Sequence, residues 1–133
     1  MPTEAHLSAT GKVGLWQSIG VKEVFATVSW LTIPDVAEAL DLPLGKVHRL
    51  IEEHHLIETR IDGIRKVPAD AIQDGEPLHT LKGTLQLLLD AGFDNEEALE
   101  WLYTVEPSMG MTPMAAMVAG KRAEVRRIAQ ALL

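Results

Sequence analysis

A mainly α fold carrying one β-hairpin is predicted by three observations. Two short apolar stripes at helical spacing lie between Pro34 and His54, and an Asp62-Gly63 pair sits between β-prone runs. From Leu78 onward, helix caps alternate with glycine stops.

Residues 1–12 are polar and small without a usable period and are expected to form a flexible tail. Residues 13–72 are expected to form the first domain. Its opening stretch mixes Trp16, Ile19, Val24, Phe25, Val28 and Trp30 with Gly14 and Gly20, and one helix is placed over Val21–Ser29. Pro34 suits a first helical position and Asp35 adds negative charge to the first turn, so a helix with Val36, Ala37 and Leu40 inward runs over Pro34–Leu40. Asp41, Leu42 and Pro43 break it. Val47, Leu50 and Ile51 then predict a second helix over Leu44–His54. After Leu56 the text turns β-prone, and Asp62-Gly63 is the strongest short-range hairpin signal, setting Ile61 opposite Ile64 and Arg60 opposite Arg65.

Helix, turn, helix, hairpin is the order of a winged helix-turn-helix, here Thr32 to Pro68. With Ala37 as the small residue at the helix crossing, the flanking apolar positions fall on Ile33, Val36, Leu40, Leu42, Val47 and Leu50, and each is apolar. Asp41 stands where the turn usually has glycine, and it enters the left-handed region more readily than most residues. Pro43 replaces a side-chain cap, and Gly45 removes a side chain from the start of the second helix.

The remaining residues, 73–133, are expected to form a helical C-terminal domain. A turn at Ala69–Ile72 leads to helices over Leu78–Ala91, Asn95–Tyr103, Pro113–Gly120 and Arg122–Leu133. Asp94 with Glu97 has capping-box spacing, and Thr112 before Pro113 is a cap. Val125, Ile128, Ala129 and Leu132 are the expected buried face of the last helix. Met109, Met111, Met114 and Met117 with Trp101 and Tyr103 form either core or an adaptable partner groove, and such a stripe is more often core.

Cysteine is absent, which excludes disulfide frameworks and thiolate chemistry and fits a reducing cytoplasm. No run of about 20 apolar residues suggests a membrane span. Glu52-Glu-His-His55 has one Glu-x-x-His spacing without the second copy a carboxylate-bridged metal site needs, so no metal or cofactor is expected. No phosphate loop or hydrolase motif occurs, and no catalytic residue is assigned.

A net charge of −7 counts against a nucleic-acid binder, but the charge is segregated. Asp70 to Glu106 holds nine acids and one base, a sum of −8, whereas Gly45 to Lys66 is mildly positive and residues 121–133 carry four bases against Glu124. The expected contacts to double-stranded DNA are Lys46, His48 and Arg49 on the second helix and Arg60, Arg65 and Lys66 on the hairpin. Arg60 facing Arg65 is unfavourable unless an anion lies between them, and a DNA phosphate would serve. The rival reading is a protein-interaction or dimerisation module with a vestigial winged helix.

Leu31-Thr-Ile-Pro-Asp-Val-Ala-Glu-Ala-Leu40 resembles the opening of MerR- and excisionase-like winged helices. Leu81-Lys-Gly-Thr-Leu85, Asp90-Ala-Gly-Phe93, Glu97 to Thr104, Thr112-Pro113 and Glu124 to Leu132 resemble the C-terminal domain of a family of small actinobacterial winged-helix DNA-binding proteins. The resemblance covers Trp30 to Leu133. It implies DNA binding with regulatory use in transcription, through the helix-turn-helix. It also implies control by a Ser/Thr protein kinase, for which Thr3, Ser8 and Thr10 are the candidate acceptors.

Overall fold

The computed structural model of the protein describes residues 21–133. The tail, the stretch from Val13 to Gly20 and the acceptors Thr3, Ser8 and Thr10 lie outside the described residues.

The chain runs through α1 (Val21–Ala26), β1 (Trp30–Thr32), α2 (Ile33–Leu40), α3 (Leu44–Glu52), β2 (Thr59–Ile61) and β3 (Ile64–Pro68). A 3₁₀ turn over Ala69–Ala71 leads to β4 (Ile72–Gln73) and β5 (Glu76–Pro77). Four helices follow: α4 (Leu81–Asp90), α5 (Asn95–Leu102), α6 (Pro113–Val118) and α7 (Arg122–Gln130). The mainly α winged-helix architecture read from the sequence is the one observed, with more β structure than one hairpin.

Thr32 caps α2 through a reciprocal box. Its hydroxyl accepts from the Asp35 backbone N–H at 3.3 Å, and the Asp35 carboxylate accepts from the Thr32 N–H at 3.2 Å. Helix α2 thus begins at Ile33, one residue before the position expected from Pro34. Asp41 ends it with φ 56°, the left-handed conformation that a turn glycine would otherwise supply. Val36 of α2 and Val47 of α3 are both fully buried in the same core cluster, each contributing roughly 1.5–3 kcal/mol by burial. Helix α3 stops at Glu52 rather than His54. His54 itself is left-handed at φ 67°, and the His55 N–H returns to the Leu50 carbonyl at 2.9 Å.

The sheet has the order β1-β3-β2, all antiparallel, and β3 pairs Leu31 with Val67 on one side and Arg60 with Arg65 on the other. Strand β1 is a correction to the expected single hairpin. It exists because β3 offers a free edge to the residues leading into α2. A second hairpin, β4–β5, turns on Asp74 at φ 54° and Gly75 at φ 77°, the same pair of positive φ angles as Asp62 and Gly63. Its tip rests on α2, where a Cβ at Gly75 would lie 3.9 Å from the Ala39 carbonyl oxygen.

That hairpin also delays α4. The Leu78 N–H bonds the Ala71 carbonyl at 2.7 Å, so Leu78, His79 and Thr80 lead into the helix instead of belonging to it. Both predicted caps downstream are present. The Asp94 carboxylate accepts from the Glu97 N–H at 2.8 Å while Glu97 accepts from the Asp94 N–H at 3.0 Å, and Thr112 accepts from the Ala115 N–H at 3.0 Å. Helix α7 ends at Gln130, which leaves Leu132 41% exposed rather than buried.

One hydrophobic cluster runs continuously from Ile33 to Val125 and includes Met114 and Met117, with Met109 and Met111 packed on its edge, so the methionines are core. Among the described residues two side-chain hydrogen bonds link the halves: Tyr103 donates its hydroxyl to the Asp70 carboxylate at 2.9 Å, and Asn95 donates to the Glu58 carbonyl at 3.3 Å. Burial together with the Asp70 carboxylate pushes the Tyr103 phenol well above its ordinary range. Among the described residues no helix is long and apolar enough to cross a membrane.

Candidate nucleic-acid interface

Helix α3 turns Val47 and Ile51 into the core, and its 3.6-residue period therefore presents Gly45, Lys46, Arg49, Glu52 and Glu53 outward, with His48 half-buried. Lys46 and Arg49 are one turn apart. Among the described residues neither makes an ion pair or a side-chain hydrogen bond, so both ammonium and guanidinium groups are available. The helix starts at Pro43, which gives no side-chain cap. The Pro43 carbonyl accepts from the Lys46 and Val47 N–H groups, and the earlier amides, on exposed Leu44 and Gly45, point away from any intrahelical partner. A Cβ added at Gly45 would meet nothing within 4 Å. The helix does not need glycine there for its own packing.

The wing has the register expected from its turn, Ile61 opposite Ile64 and Arg60 opposite Arg65. Its charge arrangement differs. Arg65 is held by Glu58 in a two-pronged contact, Nε to Oε1 at 2.7 Å and Nη2 to Oε2 at 3.0 Å. Arg60 swings to the turn and donates to the Gly63 carbonyl at 3.3 Å. The facing arginines are therefore relieved inside the chain, and the hairpin does not require an anion between them. Continuing the register places Glu58 opposite Val67, hence on the same face as Arg65 and diagonal to it. The Asp62-Gly63 turn thus carries a signal for this pair as well as for the facing arginines.

Lys66 is on the opposite face of β3, paired in register with Thr32 of β1 and Thr59 of β2. Its charge reaches the first turn of α2. The Asp35 carboxyl is held below the usual carboxylate range, chiefly by the hydrogen bonds from Thr32 and to a smaller extent by Lys66. Ile64 beside it is 52% exposed at the wing tip, and Leu44 is 50% exposed at the start of α3.

Of the six candidate contacts, Lys46 and Arg49 share one exposed helix face, while Arg60 and Lys66 are on opposite faces of the wing and Arg65 is engaged by Glu58. His54 and His55 close the end of α3, His55 lying 3.9 Å from the Glu53 carboxylate. Among the described residues no cluster of His, Cys, Asp and Glu is arranged to hold a metal ion.

Two family descriptions match the chain. Residues 21–72 match the wHTH domain of DNA-binding protein Rv2175c, and residues 78–133 match the Rv2175c C-terminal domain of unknown function. The chain is 33% identical over 113 residues to DNA-binding protein Rv2175c of Mycobacterium tuberculosis (strain ATCC 25618 / H37Rv), covering 75% of this chain and 77% of the relative. A shorter likeness, 42% over 48 residues, covers 36% of this chain and 77% of an excisionase from Streptomyces ambofaciens. The NMR structure of Rv2175c superimposes with a TM-score of 0.74 at 30% identity, over 80% of this chain and 82% of that one. A winged helix-turn-helix joined to this particular helical C-terminal region is thus shared in sequence and in fold, and the chain belongs to the Rv2175c family.

Proposed function

We propose that the protein binds double-stranded DNA and regulates transcription, with α3 in the major groove and the β2–β3 wing against the adjacent backbone. It is a binding protein rather than an enzyme. The observation that carries this reading is the exposed face of α3, where Lys46 and Arg49 project without partners beside an uncapped helix N-terminus. A helix N-terminus with free amides favours a phosphate through both hydrogen bonds and the helix dipole. At Gly45 no side chain would keep a phosphate from those amides.

Arg49 contacts a base edge and Lys46 a phosphate, with His48 at the margin of the groove. Arg60 and Lys66 meet phosphates along the wing, and Arg65 joins them to the extent that Glu58 releases it. Backbone contacts dominate, so selectivity among sequences is modest. Phosphorylation of Thr3, Ser8 or Thr10 by a Ser/Thr kinase would bring about −1.5 to −2 charges per site and weaken the complex by repulsion.

Fluorescence anisotropy on a random-sequence duplex at two salt concentrations tests the reading. Binding that weakens with salt, and weakens further in Lys46→Ala and Arg49→Ala, supports it. Absence of duplex binding together with a stable protein complex formed through residues 78–133 would favour an interaction module instead.

A further inference from the structure

The helical half contains a cavity of about 450 Å³ between α5, the loop that follows it and the start of α6. That volume lies within the range of small-molecule sites. Trp101, Pro107 and Leu132 contribute apolar wall, and three carboxylates, Glu97, Glu100 and Glu106, reach the lining without a lysine or arginine among the lining residues. Two of the three are already engaged. Glu97 accepts from the Asp94 N–H, and Glu106 accepts from the Ser108 N–H at 2.9 Å and hydroxyl at 2.7 Å.

Glu100 differs from both. It is only 4% exposed, and its Oε2 is buried without a hydrogen-bond partner. A buried carboxylate oxygen in that state calls for a donor, because leaving it unsatisfied forfeits its hydration with no return. Helix α5 explains how the acid comes to be there: Ala98, Leu99 and Leu102 are all fully buried, so the helix is enclosed on most sides and position 100 falls inside.

We propose that this cavity is a binding site for a small organic cation with an apolar body, a protonated amine whose N–H groups bond Glu100 while its hydrocarbon part lies against Trp101 and Leu132. Charge complementarity selects the cation, since three acids line the site and no base does. The apolar walls select the body. The site is on the half of the molecule opposite in charge to α3, and it stands whether or not DNA is bound there.

Benzylammonium titrated into the full ¹⁵N-labelled chain is the test, with benzyl alcohol and benzoate as neutral and anionic probes of the same shape. The expected result is saturable amide shifts confined to residues 93–107 and the vicinity of Leu132. Benzyl alcohol binds more weakly and benzoate does not bind. Glu100→Gln keeps the shape and loses the charge, and it should weaken benzylammonium by about tenfold, the scale of one charge-assisted hydrogen bond. Val105→Trp, at a 59% exposed position on the cavity rim, should block binding without removing any charge, as a second variant that spares the core. Shifts that never saturate and spread over the acidic surface would overturn the proposal, as would equal affinity for benzyl alcohol or an unchanged Glu100→Gln. A lysine-rich peptide that binds there while benzylammonium does not would assign the cavity to a protein partner and also overturn it.

Discussion

Residues 44–66 leave Lys46 and Arg49 in water without partners, whereas residues 94–107 take a carboxylate, Glu100, out of water without giving it one. Both regions are built on a short helix with buried apolar positions, Val47 and Ile51 in α3 and Ala98, Leu99 and Leu102 in α5. The difference is how much of the helix surface the fold encloses. Helix α3 is covered on one side and offers its charges outward, which suits contact with a large polyanion. Helix α5 is covered on most sides, so a charge on it becomes a local and expensive feature that a small ligand can satisfy. Among the described residues Glu100 is the one buried acid, while the rest of the acidic middle segment is at least partly exposed.

The largest expected effect tests whether these two regions stand or fall together. Leu99→Ala empties a fully buried position in the continuous core and should cost about 2–5 kcal/mol. Because the cluster runs unbroken into the winged helix, unfolding followed at Trp30 and at Trp101 should shift together. Separate transitions would show two independent cores.

Arg49→Ala comes next, costing about 1–3 kcal/mol of DNA affinity where the guanidinium meets a base edge bidentately, as read from anisotropy titrations. Burial, reinforced by Glu96 and Glu97, pushes the Glu100 carboxyl up to about 6 from its ordinary 4.5. The folded state therefore binds more protons than the unfolded state between those values. Its stabilising share is complete below pH 4.5, is lost as pH rises through 6, and amounts to roughly 1–2 kcal/mol. Glu100→Gln should flatten that part of the stability profile in denaturant titrations run across the same pH window.

Glu58→Gln frees Arg65 on the β2–β3 wing, which under the proposed function adds one cation toward DNA. It should steepen the salt dependence of binding by about one unit of slope, and it should cost less than about 1 kcal/mol of stability because the pair is partly exposed. The smallest effect separates protein from complex at Gly45. Alanine there has room and better helix propensity, so stability should rise by about 0.5–1 kcal/mol in thermal unfolding while DNA affinity falls. A gain in stability with unchanged affinity would remove the backbone–phosphate contact from the interface.

The helix-turn-helix corner was legible because its packing is local: Ile33, Val36, Leu40 and Val47 occur at spacings that only two crossed helices bury together. Asp62-Gly63 was legible for the same reason, as a turn written in two residues. Its twin, Asp74-Gly75, carried an equal signal, but its strands are two residues long and show no alternation that would call attention to it. Trp30-Leu31-Thr32 is a strand only by virtue of the β3 edge, a property of another segment, and no period within three residues announces it. The Glu58–Arg65 pair was legible from the Asp62-Gly63 turn, whose register sets Glu58 opposite Val67 and diagonal to Arg65. Glu100 reads in the sequence as one more acid in an acidic stretch, and only the packing around α5 sets it apart.

The reading of α3 as the DNA-contacting element is tested most directly by fluorescence anisotropy of wild type and the double variant Lys46→Ala, Arg49→Ala on one duplex, at two salt concentrations. Loss of two phosphate- or base-directed cations should reduce affinity at both salts and lower the salt slope, by about 0.9 for each phosphate contact removed. Identical affinity and slope for the two proteins would show that α3 does not carry the contact.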